Sequence, residues 1–337
     1  MRPRRVVRAV CRILLVAALG LSVACQAAPA GTRPTRLILN GPAGGQQAPF
    51  MYARALGYYA DEGLNVTIDE AHGSRDAAQR VARGERDFAF ADPLAIWQTR
   101  AAGDPLHIVS TILQDSGDEV ISLRRAPVTS VEALRGLSIG VTRGTAASVL
   151  LEEALGRQGL SPGSVDIVDL APADRVVALR QGRVSAIVGR RDVHALQLQA
   201  QGEQITELPY RDMGVQLPGL SIAASDDLIA HDPQTVQHFV RASLRAWQAA
   251  REDPRPAGRA VVEQFLAGYE EEIVTQLRAD LSLVCVPGTD RLGAPPPAPG
   301  LSAGLDLLTR RGLLRPPLSA QDAVTDAFMP TDAPACS

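Results

Sequence analysis

Polar side chains recur in this chain at places where a strand turns into a helix, and their types suit holding a ligand better than transforming one. Thr142-Arg143-Gly144-Thr145 follows the apolar run Leu137–Val141 and precedes a helical pattern from Ala147 to Gly156. The first N–H groups of such a helix lack intrahelical partners and stand at the positive end of its dipole, so they attract polar or anionic ligand atoms. Thr142, Gly144 and Thr145 are therefore candidates for ligand contact, with plain helix capping by Thr145 as the alternative. Gly73-Ser74 forms the corresponding junction earlier in the chain, where Ser74 can cap the helix it opens. Asp92 ends the apolar run Phe88–Ala91; it can accept a hydrogen bond from a ligand amine or cap a helix beginning near Pro93. In the Gly-rich loop from Asn40 to Phe50, Asn40, Gln46 and Gln47 offer donors and acceptors. Beyond Gly189, Arg190, Asp192 and His194 form a last polar group, read as binding contacts.

Signatures of catalysis are missing from suitable contexts: no GxSxG, HExxH, P-loop or GxGxxG occurs at a fitting strand-to-helix turn. The five histidines are scattered and no CxxC pair exists, so neither a metal site nor a cofactor is expected. His231 and His238 fall on one predicted helix face, at the surface, and Trp97 reads as core. A net charge of -3 and a pI near 6.0 argue against a general nucleic-acid binder. All the basic residues are arginine.

The elements that must position these groups follow an α/β alternation. Leu37–Asn40, Asn65–Ile68 and Phe88–Ala91 read as strands, with helices over Pro49–Leu56 and from Ser74, where Ala77, Ala78, Val81 and Ala82 share a face. About a hundred residues later the order recurs: strand Asp166–Asp169, helix Ala173–Arg180, a stop at Gly182, strand Ser185–Gly189. Between them lie the strand Leu137–Val141 and its helix. After a strand at Leu220–Ala224 come helical patterns over Pro233–Arg251, 256–267 and Glu270–Leu281. A proline-rich loop at Pro295–Pro299 precedes a final helix, Ala303–Arg311. Two such units in 337 residues, with 46% hydrophobic and 21% charged residues, point to two similar α/β lobes facing each other.

The N-terminus is that of an exported protein. Arg2, Arg4, Arg5, Arg8 and Arg12 precede an uncharged run, Ile13–Ala24, too short to span a bilayer and suited to a signal peptide. Leu21-Ser22-Val23-Ala24-Cys25 resembles a bacterial lipobox, with Cys25 the residue to be lipidated; the alternative is cleavage after Ala28-Pro29-Ala30. Outside the cytoplasm a disulfide persists, and Cys285 with Cys336 either form one or remain two thiols.

In this order, a set of motifs resembles the nitrate/sulfonate/taurine class of ABC-transporter solute-binding proteins, and especially its branch for thiamine-pyrimidine precursors. They are Leu39-Asn40, Ala48-Pro49-Phe50-Met51-Tyr52-Ala53, Gly57-Tyr58-Tyr59-Ala60-Asp61-Glu62-Gly63-Leu64, Gly73-Ser74 and Asp87-Phe88-Ala89-Phe90-Ala91-Asp92. Leu134-Arg135-Gly136, Ile139-Gly140-Val141-Thr142, Leu208-Pro209-Tyr210, Gly214-Val215 and Gly312-Leu313-Leu314 before Phe328-Met329-Pro330 complete the set.

The resemblance implies a type II periplasmic-binding-protein fold with a ligand cleft and two crossover strands. Its expected parts are a signal peptide (1–24), a tether (25–36), lobe I (37–123 with 220–330), lobe II (124–219) and a tail (331–337). It further implies capture of a small molecule by hinge closure, delivery to an ABC permease with its ATPase, attachment to the membrane through the lipid, and no enzymatic activity. The protein would stand in the periplasm or on the outer face of the cytoplasmic membrane. The sequence departs from the pyrimidine branch at Gly41, where that branch carries a stacking Trp, at Gln47 in place of His, and at Gly214-Val215-Gln216-Leu217-Pro218-Gly219, which lacks the branch's aromatic residue. Sulfonate-, nitrate- and flavin-type ligands or another heterocycle therefore stand beside a pyrimidine, and a ligand sensor that presents its closed form to a signalling partner stands beside the transport role. Eukaryotic relatives of the branch make the pyrimidine with an internal histidine and a cysteine-rich metal-binding motif; after Cys25 only Cys285 and Cys336 remain here.

Overall fold

The computed structural model describes residues 31–266 and 268–336. The expected signal segment, the lipidation site Cys25 and the first half of the tether lie outside them. No helix among the described residues is long and apolar enough to cross a membrane.

The strands are β1 (Arg33–Leu39), β2 (Leu64–Glu70), β3 (Phe88–Ala91), β4 (Leu106–Thr111), β5 (Asp118–Leu123), β6 (Ser138–Val141), β7 (Asp166–Asp169), β8 (Ala186–Arg190), β9 (Ile205–Pro209) and β10 (Ser221–Ser225). They form two five-stranded sheets, ordered β2-β1-β3-β10-β4 and β7-β6-β8-β5-β9. In the first, β1 runs parallel to β2 and β3, and β10 is wedged antiparallel between β3 and β4. In the second, β6 runs parallel to β7 and β8, and β5 lies antiparallel between β8 and β9. The two orders are one pattern used twice. This is the α/β, two-sheet architecture the repeated strand–helix–strand units imply.

Parallel strands covered by helices on both faces read as continuous apolar runs, and Phe88-Ala89-Phe90-Ala91 is buried at every position. Against the first sheet lies the helix Pro233–Glu252, capped by Asp232, which accepts a hydrogen bond from the Thr235 N–H. Its Phe239 stacks on Phe88 at 3.9 Å between ring centroids and on Tyr59 at 5.3 Å, while Trp247 meets Phe50 and Phe90 edge-on or tilted. Burying each such side chain stabilises the fold by about 1.5–3 kcal/mol.

The chain passes between the sheets twice, over 112–117 and 210–220. The two passages are sewn together: Ser116 N–H donates to Leu217 O, Gly219 N–H to Leu113 O, and the Gln216 side chain to Gln114 O. Asp115 receives the Gly117 N–H at 2.7 Å and faces Arg211 at 3.6 Å. A side chain at Gly219 would stand 2.6 Å from Asp115 O and 2.8 Å from Leu113 Cβ, so only glycine lets the passages lie this close.

Several elements differ from the sequence expectation. β4, β5 and β9 were not foreseen as strands, and β5 pairs within the second sheet although 118–123 was expected with the first lobe. No helix separates β4 from β5, so the alternation carried no mark of the change of sheet. The helix expected over Ala303–Arg311 begins at Ala298, inside the expected proline-rich loop, because proline fits the first turn, where its missing N–H has no intrahelical partner to lose, and a short helix, Ala320–Ala323, follows it. His231 and His238 do not share a helix: His231 ends Asp226–His231, and His238 lies on the next helix, where its Nδ1 meets Glu62 O.

Cys285 and Cys336 are joined by a disulfide. The tail is also held by hydrogen bonds from Cys336 N–H to Asp290 O and from Leu292 N–H to Pro334 O.

Candidate functional site

The polar residues singled out in the sequence stand at the carboxyl ends of the parallel strands of both sheets. In open α/β sheets that edge is where ligands bind. The loop after β1 carries Asn40, Gln46 and Gln47; Gly73-Ser74 follows β2; Asp92 follows β3. On the second sheet Thr142–Thr145 follow β6, and Arg190–His194 end and follow β8.

Gln46 connects the two sets. Its Nε2 donates to Asp192 Oδ2 at 2.8 Å and to Asp280 Oδ1 at 3.2 Å. It is delivered by Gly45, which lies so close to the helix Glu270–Leu281 that an added Cβ would stand 2.6 Å from Gln276 Cβ. Gln276 in turn accepts the Gly45 N–H. Gln47 is spent internally, donating to Asn40 Oδ1 at 2.7 Å and accepting from the Gly44 N–H.

Arg190 is the centre of the second set. Asp192 grips it with both oxygens at 2.9 Å, and Asp118, its register partner on β5, lies alongside. Burial opposes the arginine's charge, but Asp192, Asp280 and Asp118 outweigh it and hold the guanidinium above its ordinary pKa. The carboxyl groups pay for the same burial. Asp118 is pushed up to about 6, with Arg190 pulling the other way. Asp92 rises through burial, against the Leu94 N–H and Arg190. Asp280 rises well above the usual range through burial and then the neighbouring Asp192 charge. Asp92, Asp118 and Arg190 each keep some accessible surface while sitting deep in the molecule, as side chains lining an interior crevice do. The arrangement is acidic around one guanidinium.

The remaining candidates are largely engaged within the protein. Thr142 Oγ1 donates to Leu170 O at 2.7 Å and accepts from Arg175 at 2.5 Å. Thr145 forms a capping box with Ser148, and Gly144 is an exposed turn with φ +73°. Ser74 does not cap its helix: Gly73, at φ 120°, occupies that position, and Ser74 Oγ instead accepts the Asp92 N–H at 3.0 Å. The serine thus ties the second junction to the third. Asp92 Oδ1 caps the helix Pro93–Ala101 through the Leu94 N–H. His194 is buried, its Nδ1 accepts the Arg190 N–H, and burial followed by Arg175 lowers its pKa; it orients the Arg190 backbone. Trp97 is core, its Nε1 donating to Ala323 O.

Asp118, Asp280 and Arg175 belong to this neighbourhood and were not singled out in the sequence. Asp118 begins an antiparallel strand that was not foreseen, and Asp280 lies on a helix far along the chain. Neither sits in a strand-to-helix junction, the signal that found the others.

Comparison with known proteins bears on the family and the fold. The family model described as NMT1/THI5 like matches residues 45–257. The riboflavin-binding protein RibY of Chloroflexus aurantiacus is 32% identical over 204 residues, 59% of this chain and 57% of that protein. A 4-amino-5-hydroxymethyl-2-methylpyrimidine phosphate synthase of Aspergillus parasiticus is 24% identical over 229 residues, 64% of this chain and 66% of that one. The matches thus span less than two thirds of either relative. Among solved structures, the periplasmic aliphatic sulphonate binding protein SsuA of Escherichia coli superimposes with a TM-score of 0.69 at 16% identity, over 87% of this chain and 97% of that one. At that identity the likeness is one of fold: that of periplasmic binding proteins.

Proposed function

Because this chain belongs to the NMT1/THI5-like family, we propose that it is the extracytoplasmic solute-binding component of an ABC importer, capturing a nitrogen-rich heterocycle between its two sheets. The observation that carries the reading is the contact of Gln46 with Asp192: the carboxyl edges of the two sheets face each other and touch through ligand-type side chains. Two sheets whose strands are linked by two adjacent passages can close on a solute as a hinge does. The solute then passes to a permease and its ATPase. The disulfide suits an oxidising compartment and so an exported protein, lipid-anchored at Cys25.

The chemistry of the crevice supports a pyrimidine-type precursor or a flavin over a sulfonate or nitrate. A free anion would meet Asp92, Asp118, Asp192 and Asp280 around a single arginine already paired. Ring N–H and amino groups, in contrast, find acceptors there. The relatives named for riboflavin binding and for pyrimidine synthesis point the same way.

The synthase relatives give an enzymatic reading one specific support. Against it, both cysteines among the described residues are consumed in the disulfide. The test is a thermal-shift and calorimetric screen with riboflavin, 4-amino-5-hydroxymethyl-2-methylpyrimidine, methanesulfonate and nitrate. A heterocycle should raise the melting temperature and be recovered chemically unchanged by mass spectrometry. A shift with the anions alone, or conversion of the solute, refutes the reading.

A further inference from the structure

Asp280 is placed where a carboxylate is costly. It is 0% exposed, it stands in the last turn of the helix Glu270–Leu281 at the negative end of the dipole, and Asp192 is a neighbouring negative charge. Its Oδ1 accepts from Gln46, but its Oδ2 has no hydrogen-bond partner. Buried polar atoms without partners are rare, and each costs about 1–3 kcal/mol. Holding Gln46 needs one carbonyl oxygen only, and asparagine would supply it with none of these costs. The second oxygen is therefore not explained by the fold, and it belongs to a group that faces Asp192 and Arg190 in the crevice.

A groove of about 760 Å³ reaches Asp192, the neighbour of Asp280 through Gln46. Its walls are Asp192, Val193 and Leu196 from the second half and Glu272, Thr275 and Gln276 from the helix that carries Asp280. Gln276 and Asp280 are one helical turn apart, so an extended solute lying in the groove would reach the Asp280 carboxyl once Gln46 moved aside.

We propose that Asp280 is a specificity-determining residue of the solute site, its unpartnered Oδ2 accepting a hydrogen bond from an amine or hydroxyl of the solute and turning away solutes that bring an anionic group there. The solute is thus a donor-bearing molecule that supplies, on closure, the partner this oxygen lacks. The inference rests on the receptor reading above and deepens it.

The test compares the full chain with Asp280→Asn, which is nearly isosteric and keeps an acceptor for Gln46. Calorimetric titrations use riboflavin, 4-amino-5-hydroxymethyl-2-methylpyrimidine and methanesulfonate, and the empty proteins are melted alongside. Loss of this hydrogen bond should weaken the binding heterocycle by about tenfold. The empty variant should melt at or above the wild-type temperature, since asparagine keeps the acceptor for Gln46 and removes a titratable group whose ionisation burial and Asp192 oppose. Equal affinity of wild type and variant for the heterocycle overturns the inference while leaving the receptor reading intact. A variant that melts below wild type also overturns it, because the carboxylate then serves the fold. If no heterocycle binds the wild type, the receptor reading falls and this one falls with it.

Discussion

Gln46 and Asp192, 146 residues apart in sequence, meet at 2.8 Å, and the same amide nitrogen reaches Asp280 at 3.2 Å. One neutral side chain thus serves two acidic ones that arrive from opposite sides of the crevice. Replacing it leaves Asp280 without its hydrogen-bond donor, while Asp192 keeps Arg190 on both oxygens. Gln46→Ala should destabilise the empty protein by about 1–3 kcal/mol, the cost of an unmet buried polar group, as read by urea unfolding. An unchanged midpoint would show that the contact contributes nothing to the fold.

Thr145 spends its hydroxyl on the chain itself: Oγ1 donates to Thr142 O and accepts the Ser148 N–H. Thr145→Ala should lower stability by about 1 kcal/mol, a normal loss for an N-cap, while the melting shift produced by a bound heterocycle is preserved. Loss of that shift with an unchanged empty-state melting temperature would instead make the residue a ligand contact.

Stability should depend on pH with a definite sign. Burial raises Asp118 to about 6 and Glu119, which is also repelled by Glu207, to about 9. In the unfolded chain both titrate near the usual carboxyl values, so between about pH 4 and these raised values the folded protein binds more protons. Its stability must fall as pH rises through that window, for Asp118 up to about 6 and for Glu119 up to about 9. The empty protein should therefore melt higher at pH 5.5 than at pH 8.5, within about the range where other carboxylates stay ionised. A melting temperature that climbs towards alkaline pH would contradict these assignments.

The passages between the sheets have no room for a methyl group at Gly219, where it would press on Asp115 O and Leu113 Cβ. Gly219→Ala should cost about 1–3 kcal/mol through overpacking and separate the two passages. Calorimetric melting measures the first effect, and small-angle scattering of the empty and solute-bound protein measures the second.

Reducing the Cys285–Cys336 bond frees a tail closed over a sequence separation of 51. The loss should be about 2–4 kcal/mol, seen as a lower melting temperature in dithiothreitol and in the double serine variant alike. Identical melting with and without reductant would leave the crosslink without a stabilising role.

Parallel strands of both sheets were legible: Phe88–Ala91, a buried apolar run in the first sheet, and Asp166–Asp169, the edge strand of the second, have the bounds read from sequence. β5 and β10 show the limit. Each lies antiparallel among parallel neighbours, and only pairing with residues distant in sequence tells which sheet it joins; Leu220–Ala224 was visible as a strand, while Asp118–Leu123 was not. The site divided along the same line. Gln46, Asp92, Arg190 and Asp192 come from the loops after strands and were found. Asp280 is one acidic residue on an ordinary amphipathic helix, and nothing local distinguishes it from Glu270 or Glu271 until the helix is seen to end against Gln46. Ser74 was read as a cap by its position, and Gly73 displaced it because a backbone at φ 120° suits glycine alone.

Glu119 on β5 and Pro209 on β9 are register partners, so the polypeptide enters and leaves the second sheet by adjoining strands. Everything from 118 to 209 is consequently an uninterrupted insert whose two ends exit side by side. Such a segment can be traded between relatives as a cassette without rethreading the remainder. The half carrying Arg190 and Asp192 can in this way vary while Asp92, Asp280 and the elements around the first sheet stay as they are.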